Sequence, residues 1–512
     1  MILIYPPVSR PSEPPAGIAR LAGFLRHYGL KPVLLDANLE GMMYLLKSAG
    51  SFPHKALNTW SRRALSNWPK DMASMKGMRG YTNLDRYKRA VADINQVLEL
   101  STLSSNVTVG LANYQSSDLS PLRSMDLIRA AETCEGDPFF PYFSERLTEL
   151  IGLHHPSLIG FSLNYLSQAL CAFAMAGFIR KRFPGLRIVL GGGLVTSWLR
   201  RPDWKNPFGG LIDHLVAGPG EFPLLSILGI EHEKNSFSAP DFHDLPLKEY
   251  LSPGTVLPYS ASSGCYWHKC SFCPEKAEGN PYIAVPVERA MADINSLVDG
   301  LDPILLHLLD NSISPALMRA LAENPPGIPW YGFARIDRQL TDSDYCMALK
   351  RSGCVMLKLG LESGDQGVLD KMEKGIDLEM VSLALKALKR AGIATYVYLL
   401  FGTPYETLAK ARKTLEFTVA HCNEIGFLNL AVFNMPVCGE WANEFETNSF
   451  YEGDLSLYTD FSHPHGWNRR QVRDFLENEF KKDSAVAAIL KKDPPIFTSN
   501  HAPFFVQISS RK

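Results

Sequence analysis

Residues 264–274 read Gly-Cys-Tyr-Trp-His-Lys-Cys-Ser-Phe-Cys-Pro and gather Cys265, Cys270 and Cys273 within nine positions. The gaps are four residues and then two, and the loop follows an apolar, strand-like run at 258–262. Such a loop can fold three thiolates around one metal centre. Thiolates are the soft ligands that iron–sulfur clusters require, and a four-iron cubane bound by only three cysteines keeps one iron open to a further ligand. His268 lies inside the loop and would complete a Cys3His set, so a structural zinc site is the alternative reading. A closed zinc knuckle has no need to stand after a strand in an alternating series, which favours the cluster.

On the carboxyl-terminal side of this loop, strand-like segments recur near 304–309, 330–334, 355–361, 394–401 and 427–433, with helical patterns between most of them. Together with 258–262 they make six β/α units, the pattern of a partial parallel barrel whose working face is the carboxyl ends of its strands. Asp310 follows the second strand, Arg335 the third, Glu362-Ser363-Gly364 the fourth and Gly402-Thr403-Pro404 the fifth. Arg335 is a candidate for binding an anionic group, with a buried pair to Asp310 as the alternative. Beyond Cys438 the chain turns irregular and aromatic, with one clear helix at 470–482. There Tyr458, Trp467 and His501 either cap the barrel over a substrate or simply pack. Cys438 either reaches the cavity or rests as an inert buried thiol.

On the amino-terminal side, residues 229–257 contain Pro, Asp, His and Ser with little periodicity and read as an interdomain linker. Before them, residues 1–228 open with a strand at 2–5, a Pro-rich loop at 6–15, a helix at 16–28 and a strand at 33–36. The β-rich pattern then lapses over 40–156, which reads as a helical insertion. It resumes with a strand at 158–163, a helix to 183, a strand at 187–190, the turn Gly191-Gly192-Gly193 and a last strand near 215–217. The expected architecture is α/β throughout. A doubly wound, Rossmann-like domain at 1–228 carries the insertion, and a partial (β/α)6 barrel at 258–438 is followed by an irregular capping region at 439–512.

Composition agrees with two or three ordinary globular domains: 512 residues, 46% apolar, 21% charged and a formal net charge of -1. No basic run supplies an electrostatic term for nucleic acid, so no such partner is expected. The longest apolar stretch, 169–179, is too short to span a bilayer and is closed by Arg180, Lys181 and Arg182, so it reads as a buried helix. No membrane partner and a cytoplasmic location are expected. Cys134, Cys171, Cys346, Cys354, Cys422 and Cys438 stand singly, which suits a reducing compartment with one metal site at the triad.

The triad and the barrel behind it resemble the radical S-adenosylmethionine (SAM) superfamily, whose usual first gap is three residues; here it is one longer. The resemblance implies a 4Fe-4S cluster on Cys265, Cys270 and Cys273, with SAM bound to the open iron through its amino and carboxylate groups. It also implies reductive cleavage of SAM to a 5'-deoxyadenosyl radical, with an electron donor such as flavodoxin or ferredoxin. Phe272 matches the family's aromatic position near the adenine. LGLESG, with Glu362 and Ser363, resembles the segment that contacts SAM, and LLFGTP places Gly402 at the end of the fifth strand. Arg335 is then a candidate for the SAM carboxylate or a substrate anion.

YPPVSRPSEPPAGIARLAGFL, VLLDAN, IGFSLN, VLGGG and VAGPGE, all within 1–228, resemble the cobalamin-binding domain that precedes the barrel in one class of these enzymes. The resemblance implies that Gly191, Gly192 and Gly193 make room for the nucleotide tail, while Asp36, Ser162, Gly218 and Glu221 line the same crevice. Mutase-type cobalamin proteins place a histidine under cobalt from the loop after the first strand. Residues 6–15 contain none, and His27, His154 and His155 are discounted as ordinary helix or loop residues. The alternative is a degenerate nucleotide-binding fold with an empty crevice. The implied activity is methylation of an unactivated carbon of an unknown substrate. A cobalamin-dependent rearrangement or oxidation is the alternative within the class, and a zinc- or cluster-bearing sensor the alternative outside it.

Overall fold

Apolar runs too short for helices become inner strands, because parallel strands covered on both faces read as continuous hydrophobic segments. This is seen in a computed structural model that describes residues 1–49, 57–231, 237–449 and 453–509. Residues 50–56 of the expected insertion, 232–236 of the expected linker, and 450–452 and 510–512 of the expected capping region lie outside the described residues. The chain divides into two compact units, one of residues 1–255 with 451–457 and one of 256–450 with 458–512.

The first unit is built on five parallel strands: β1 (Ile2–Tyr5), β2 (Val33–Asp36), β3 (Leu158–Ser162), β4 (Arg187–Gly191) and β5 (His214–Leu215). Their spatial order is β2-β1-β3-β4-β5. In this doubly wound order the direction in which strands are added reverses between β1 and β3, and the crevice of such a sheet lies at the carboxyl ends there. The register aligns those ends, pairing Tyr5 with Asp36 and Ser162 with Gly191. Helix α1 (Ala16–His27) joins β1 to β2. Between β2 and β3 come α2 (Ala37–Ser48), α3 (Thr59–Met75), α4 (Leu84–Ser101), α5 (Ser124–Glu132) and α6 (Phe140–His154). A short antiparallel hairpin, Val107–Val109 with Tyr114–Ser116, interrupts this helical stretch and has no clear signal in the sequence.

Helix α7 (Leu166–Arg182) is apolar on nearly every side and buried accordingly. Gly177 on it has no room for a side chain, because an added Cβ would lie 2.0 Å from the carbonyl oxygen of Ala131. The backbone of α5 approaches that closely. Residues 237–255 pack on this unit: Asp241 N donates to Ala19 O at 2.9 Å, Leu251 N to Pro11 O at 2.7 Å, and Tyr250 Oη to Asp36 at 2.6 Å.

The second unit holds six parallel strands: β6 (Val256–Tyr259), β7 (Leu305–Leu308), β8 (Trp330–Ala334), β9 (Cys354–Glu362), β10 (Ala394–Phe401) and β11 (Phe427–Val432). They lie in sequential order from β11 to β6. Each helix between them begins at a local signal where the sequence offers one. Ser314, Asp342, Asp377 and Thr407 each accept a backbone N–H with the side chain at a helix start, which satisfies one of the orphan donors there. The expected helix near 470–482 is Arg469–Phe475 running on into a π-turn at Leu476–Phe480. No described helix is long and apolar enough to cross a membrane.

Candidate functional site

The three thiols of the triad are free and half-buried. The chain reaches them through Gly264, at φ +75°, where an added Cβ would lie 2.4 Å from Pro281 O. The longer first gap is absorbed by Trp267 and His268, the latter in the left-handed region at φ +46°. Trp267 lies beneath the Arg335 guanidinium, 3.6 Å from the ring centroid, and its Nε1 donates to Glu373 O at 3.3 Å. Ser271 donates its N–H to Met372 O at 3.0 Å and its hydroxyl to the Glu373 carboxylate at 2.9 Å. Residues 371–375, well past the end of β9, therefore form the seat of the cysteine loop. Gly375 is required in that seat: its φ is +63° and an added Cβ would lie 2.4 Å from the Trp267 ring.

Burial pushes the Cys270 thiol up and the Cys273 thiol to about 11, while the positive charges of Lys374 and Arg335 oppose the shift at Cys270. Burial favours the neutral thiol and the cations favour the thiolate, and a soft metal that binds such a site replaces the protons. The donor set, three free thiols on one loop, fits a cluster with three protein ligands. Among the described residues no three His, Cys, Asp or Glu side chains gather tightly enough to hold a single metal ion, a Cys3His set included. A cavity of about 500 Å3 adjoins the loop, lined by Tyr266, Tyr282, Asp310 and Arg319 among apolar neighbours, within the range of small-molecule sites.

Arg335 and Asp310 both turn out to be engaged. Arg335 donates to the carbonyls of Lys374 and Gly375, the latter at 2.9 Å. Asp310 accepts from Ala261 N at 3.1 Å and from the Ser262 hydroxyl. The guanidinium, a candidate for an anionic group, also clamps the loop seat, stacked on Trp267, while Asp310 holds Ala261 and Ser262. Glu362 sits at the end of β9 in the left-handed region, φ +70°, and pairs with Lys374 at 2.8 Å. Ser363 is fully buried against Thr414 at 3.3 Å and accepts Asp365 N at 3.1 Å, so its hydroxyl shapes the turn. Phe272 packs on a core that includes Val368, Met372, Phe433 and Trp441. Gly402, at φ +82°, donates its N–H to Glu406. Glu406 also takes Trp467 Nε1 at 2.9 Å, and burial raises its carboxyl to about 7. Trp467 and the buried His501, which stacks on Phe497 at 4.2 Å, serve packing. Burial raises the Tyr458 phenol above its ordinary range.

In the first unit, residues 6–15 are pinned: Val8 N donates to Ser167 O at 3.2 Å, Gln168 Nε2 to Pro6 O at 2.8 Å and Ser9 N to Asn38 Oδ1 at 2.7 Å. His27, His154 and His155 are exposed. Asp36 is buried, caps α2 through Leu39 N at 2.9 Å and holds Tyr250; burial raises its carboxyl to about 6. Glu221 is ion-paired with Arg20. Both carboxyls therefore serve the unit's own structure at the crevice edge. Asn164 draws the edge together, donating to the Ser162 hydroxyl at 3.1 Å and accepting Gly193 N at 3.0 Å.

The three glycines of the turn differ. Gly192 has φ +106°, and an added Cβ would lie 2.4 Å from Leu163 O, so its lack of a side chain serves the contact with β3. At Gly193 an added Cβ meets nothing nearer than 3.8 Å, and at Gly218, φ +70°, nothing within 4 Å. Those two positions leave the turn uncrowded, as a crevice for a cofactor tail needs.

Residues 259–418 match the model of the radical SAM superfamily. The chain thus carries a segment similar to the radical SAM superfamily. It is related to proteins named as methyltransferases. An uncharacterized methyltransferase of Pyrococcus horikoshii is 22% identical over 310 residues, 53% of this chain and 66% of that protein. The hopanoid C-3 methylase of Methylococcus capsulatus is 24% identical over 336 residues, 59% of this chain and 63% of that protein. The chain thus spans less than two thirds of the length of these curated relatives. Among solved structures, the radical S-adenosylmethionine methyltransferase TsrM of Kitasatospora setae, with cobalamin and a 4Fe-4S cluster bound, aligns with a TM-score of 0.52. Identity is 14%, over 88% of this chain and 81% of that one, a likeness of fold.

Four residues of the site had no signal assigned to them in the sequence: Trp267, Glu373 and Lys374 around the triad, and Asn164 in the first unit. Trp267 carried a signal, since an extra residue in a ligand loop needs an anchor. Lys374 lies 12 positions beyond Glu362, a separation with no helical or strand period to mark it.

Proposed function

We propose that this protein is a cobalamin-dependent radical SAM methyltransferase that methylates an unactivated carbon of a substrate yet to be identified. The observation that carries the reading is the set of three free, half-buried thiols on one loop after β6, inside the segment matched by the radical SAM model. Cys265, Cys270 and Cys273 are the cluster ligands on this reading, and the loop seat at residues 371–375 with Arg335 fixes their spacing. When bound, the cluster and SAM supply a 5'-deoxyadenosyl radical and cobalamin supplies a methyl carrier. The chain's own residues bind and orient. Phe272 offers an apolar face for the adenine, Glu362 a carboxylate for SAM, and Gly402 a bare turn beside it. In the first unit, Gly191, Gly193 and Gly218 line a cobalamin crevice, with Gly192 holding its floor against β3 and Asp36, Ser162 and Glu221 framing its edge.

The finer architecture on this reading is a cobalamin-binding domain at 1–228, with its helical insertion at 40–156, and a partial (β/α)6 barrel at 258–438 capped by 439–512. An external donor such as flavodoxin or ferredoxin supplies the electron. The scatter of six single cysteines outside the triad is compatible with a reducing cytoplasm. The test is cobalamin binding by the full chain. About one cobalamin per chain should survive gel filtration, and the cob(II)alamin resonance spectrum should lack histidine nitrogen splitting. Failure to retain any cobalamin would leave a radical SAM enzyme without this methyl-transfer route.

A further inference from the structure

Lys374 places a cation beside the cysteine loop. Its Nζ lies 2.8 Å from Glu362 Oε1, with the two side chains only 12% and 11% exposed. It also lies 5.6 Å from the centroid of Phe272, the residue between Cys270 and Cys273 in the loop's second gap. Its backbone is fixed from both directions, donating N–H to Leu369 O at 3.1 Å and giving its carbonyl to Arg335. Gly360 clears the space: an added Cβ there would lie 2.5 Å from Glu362 Oε1 and 2.7 Å from Lys374 Nζ.

A buried ion pair is weak evidence for stability, since desolvating both charges offsets their attraction. Here the pair is also built with Glu362 in the left-handed region, a conformation unfavourable for a residue with a side chain. Strain of that kind persists where function needs the geometry.

We propose that Lys374 is a positioning residue of the cluster, its ammonium compensating the negative charge that three thiolates and an added electron bring to the loop. The proposal rests on the cluster-binding reading. Three thiolates make the site anionic, reduction makes it more so, and Glu362 adds a further negative charge beside Cys270. Lys374 is a buried positive charge beside this loop, held by its pair with Glu362, while the equally charged Arg335 guanidinium stacks on Trp267 and is held by backbone carbonyls. Removing Lys374 should disfavour the reduced cluster. Removing the charge of Glu362 should favour it. A merely structural pair predicts damage in the same direction from either loss.

The test is a redox titration of the reconstituted full-length protein, followed by electron paramagnetic resonance, with iron and sulfide counted in every sample. At the potential that half-reduces the wild-type cluster, Lys374→Gln should lower the ratio of reduced to oxidised cluster roughly tenfold or more, the scale expected for a unit charge about 10 Å away at an effective dielectric near 20. Glu362→Gln should raise that ratio, and Lys374→Arg should restore it to within about threefold of wild type. Should Lys374→Gln fail to assemble a cluster, the double variant Glu362→Gln with Lys374→Gln is compared with Glu362→Gln alone. It should show the lower ratio. Equal ratios in that comparison, shifts of the same sign in both single variants, or an unchanged ratio in Lys374→Gln would each overturn the proposal. A wild-type protein that takes up no iron and sulfide would instead overturn the cluster reading on which it rests.

Discussion

Gly192→Ala should unfold the first unit far more readily than a single methyl suggests. At φ +106° the new Cβ would stand 2.4 Å from Leu163 O and 2.8 Å from both Leu163 C and Leu163 N. Those are backbone atoms at the exit of β3, which cannot move without loosening Leu163 N to Gly191 O at 2.7 Å and Leu194 N to Leu163 O at 3.2 Å. The conformational cost for an L-residue is about 1–3 kcal/mol, and each hydrogen bond disturbed adds about 1 kcal/mol. The sum is about 3–5 kcal/mol, a large share of the 5–15 kcal/mol typical of a domain. Gly193→Ala is the control, since its Cβ would meet nothing nearer than 3.8 Å and it begins helix α8 (Gly193–Leu199). It should change stability by no more than about 0.5 kcal/mol, and favourably. Urea unfolding of the full chain, followed by far-ultraviolet circular dichroism, measures both. A Gly192→Ala protein within about 1 kcal/mol of wild type, or a Gly193→Ala protein equally damaged, would refute the close-approach argument.

Three further outcomes follow from the same geometry. Ala at Cys265, Cys270 or Cys273 should each abolish a SAM-cleaving cluster, whereas Ala at any of the other six cysteines should leave iron and sulfide intact; a triad variant with full iron content would break the ligand assignment. Glu362→Ala should weaken SAM binding by about one to two decades while sparing the cluster, as equilibrium dialysis would show. Burial raises the folded-state carboxyl of Glu406 from 4.5 to about 7, so the native state holds its proton more tightly than the unfolded chain. The stability this gives is complete below pH 4.5 and is lost as pH rises through about 7. Glu406→Gln should flatten that stretch of the stability curve, and two parallel curves would remove Glu406 as its source.

The parts of this fold legible in the sequence were those carried by local periodicity and composition. Apolar runs such as Ile2–Tyr5 and Ala394–Phe401 marked inner parallel strands, and the spacing of Cys265, Cys270 and Cys273 marked one loop with three thiols. What stayed hidden was set by partners far along the chain. Asp36 stood at a strand end, as a crevice residue should, yet its carboxylate is taken by Tyr250, 214 residues later. Arg335 looked available because nothing in its neighbourhood announces Trp267 or the carbonyls at 374 and 375. Gly192 was legible as a glycine that matters, but its reason lies in the backbone of Leu163. Lys374 follows a short helix in a polar run and gives no hint that Gly360 has cleared a place for it beside Glu362.

The central claim is that the triad builds a cluster that cleaves SAM. The most direct measurement reconstitutes the full-length protein anaerobically with iron and sulfide, counts both, then adds SAM and a reductant and quantifies 5'-deoxyadenosine. The account predicts about four irons and four sulfides per chain, with 5'-deoxyadenosine formed by the wild type and none by Cys270→Ala. A chain that instead holds one zinc per molecule and leaves SAM uncleaved would contradict it.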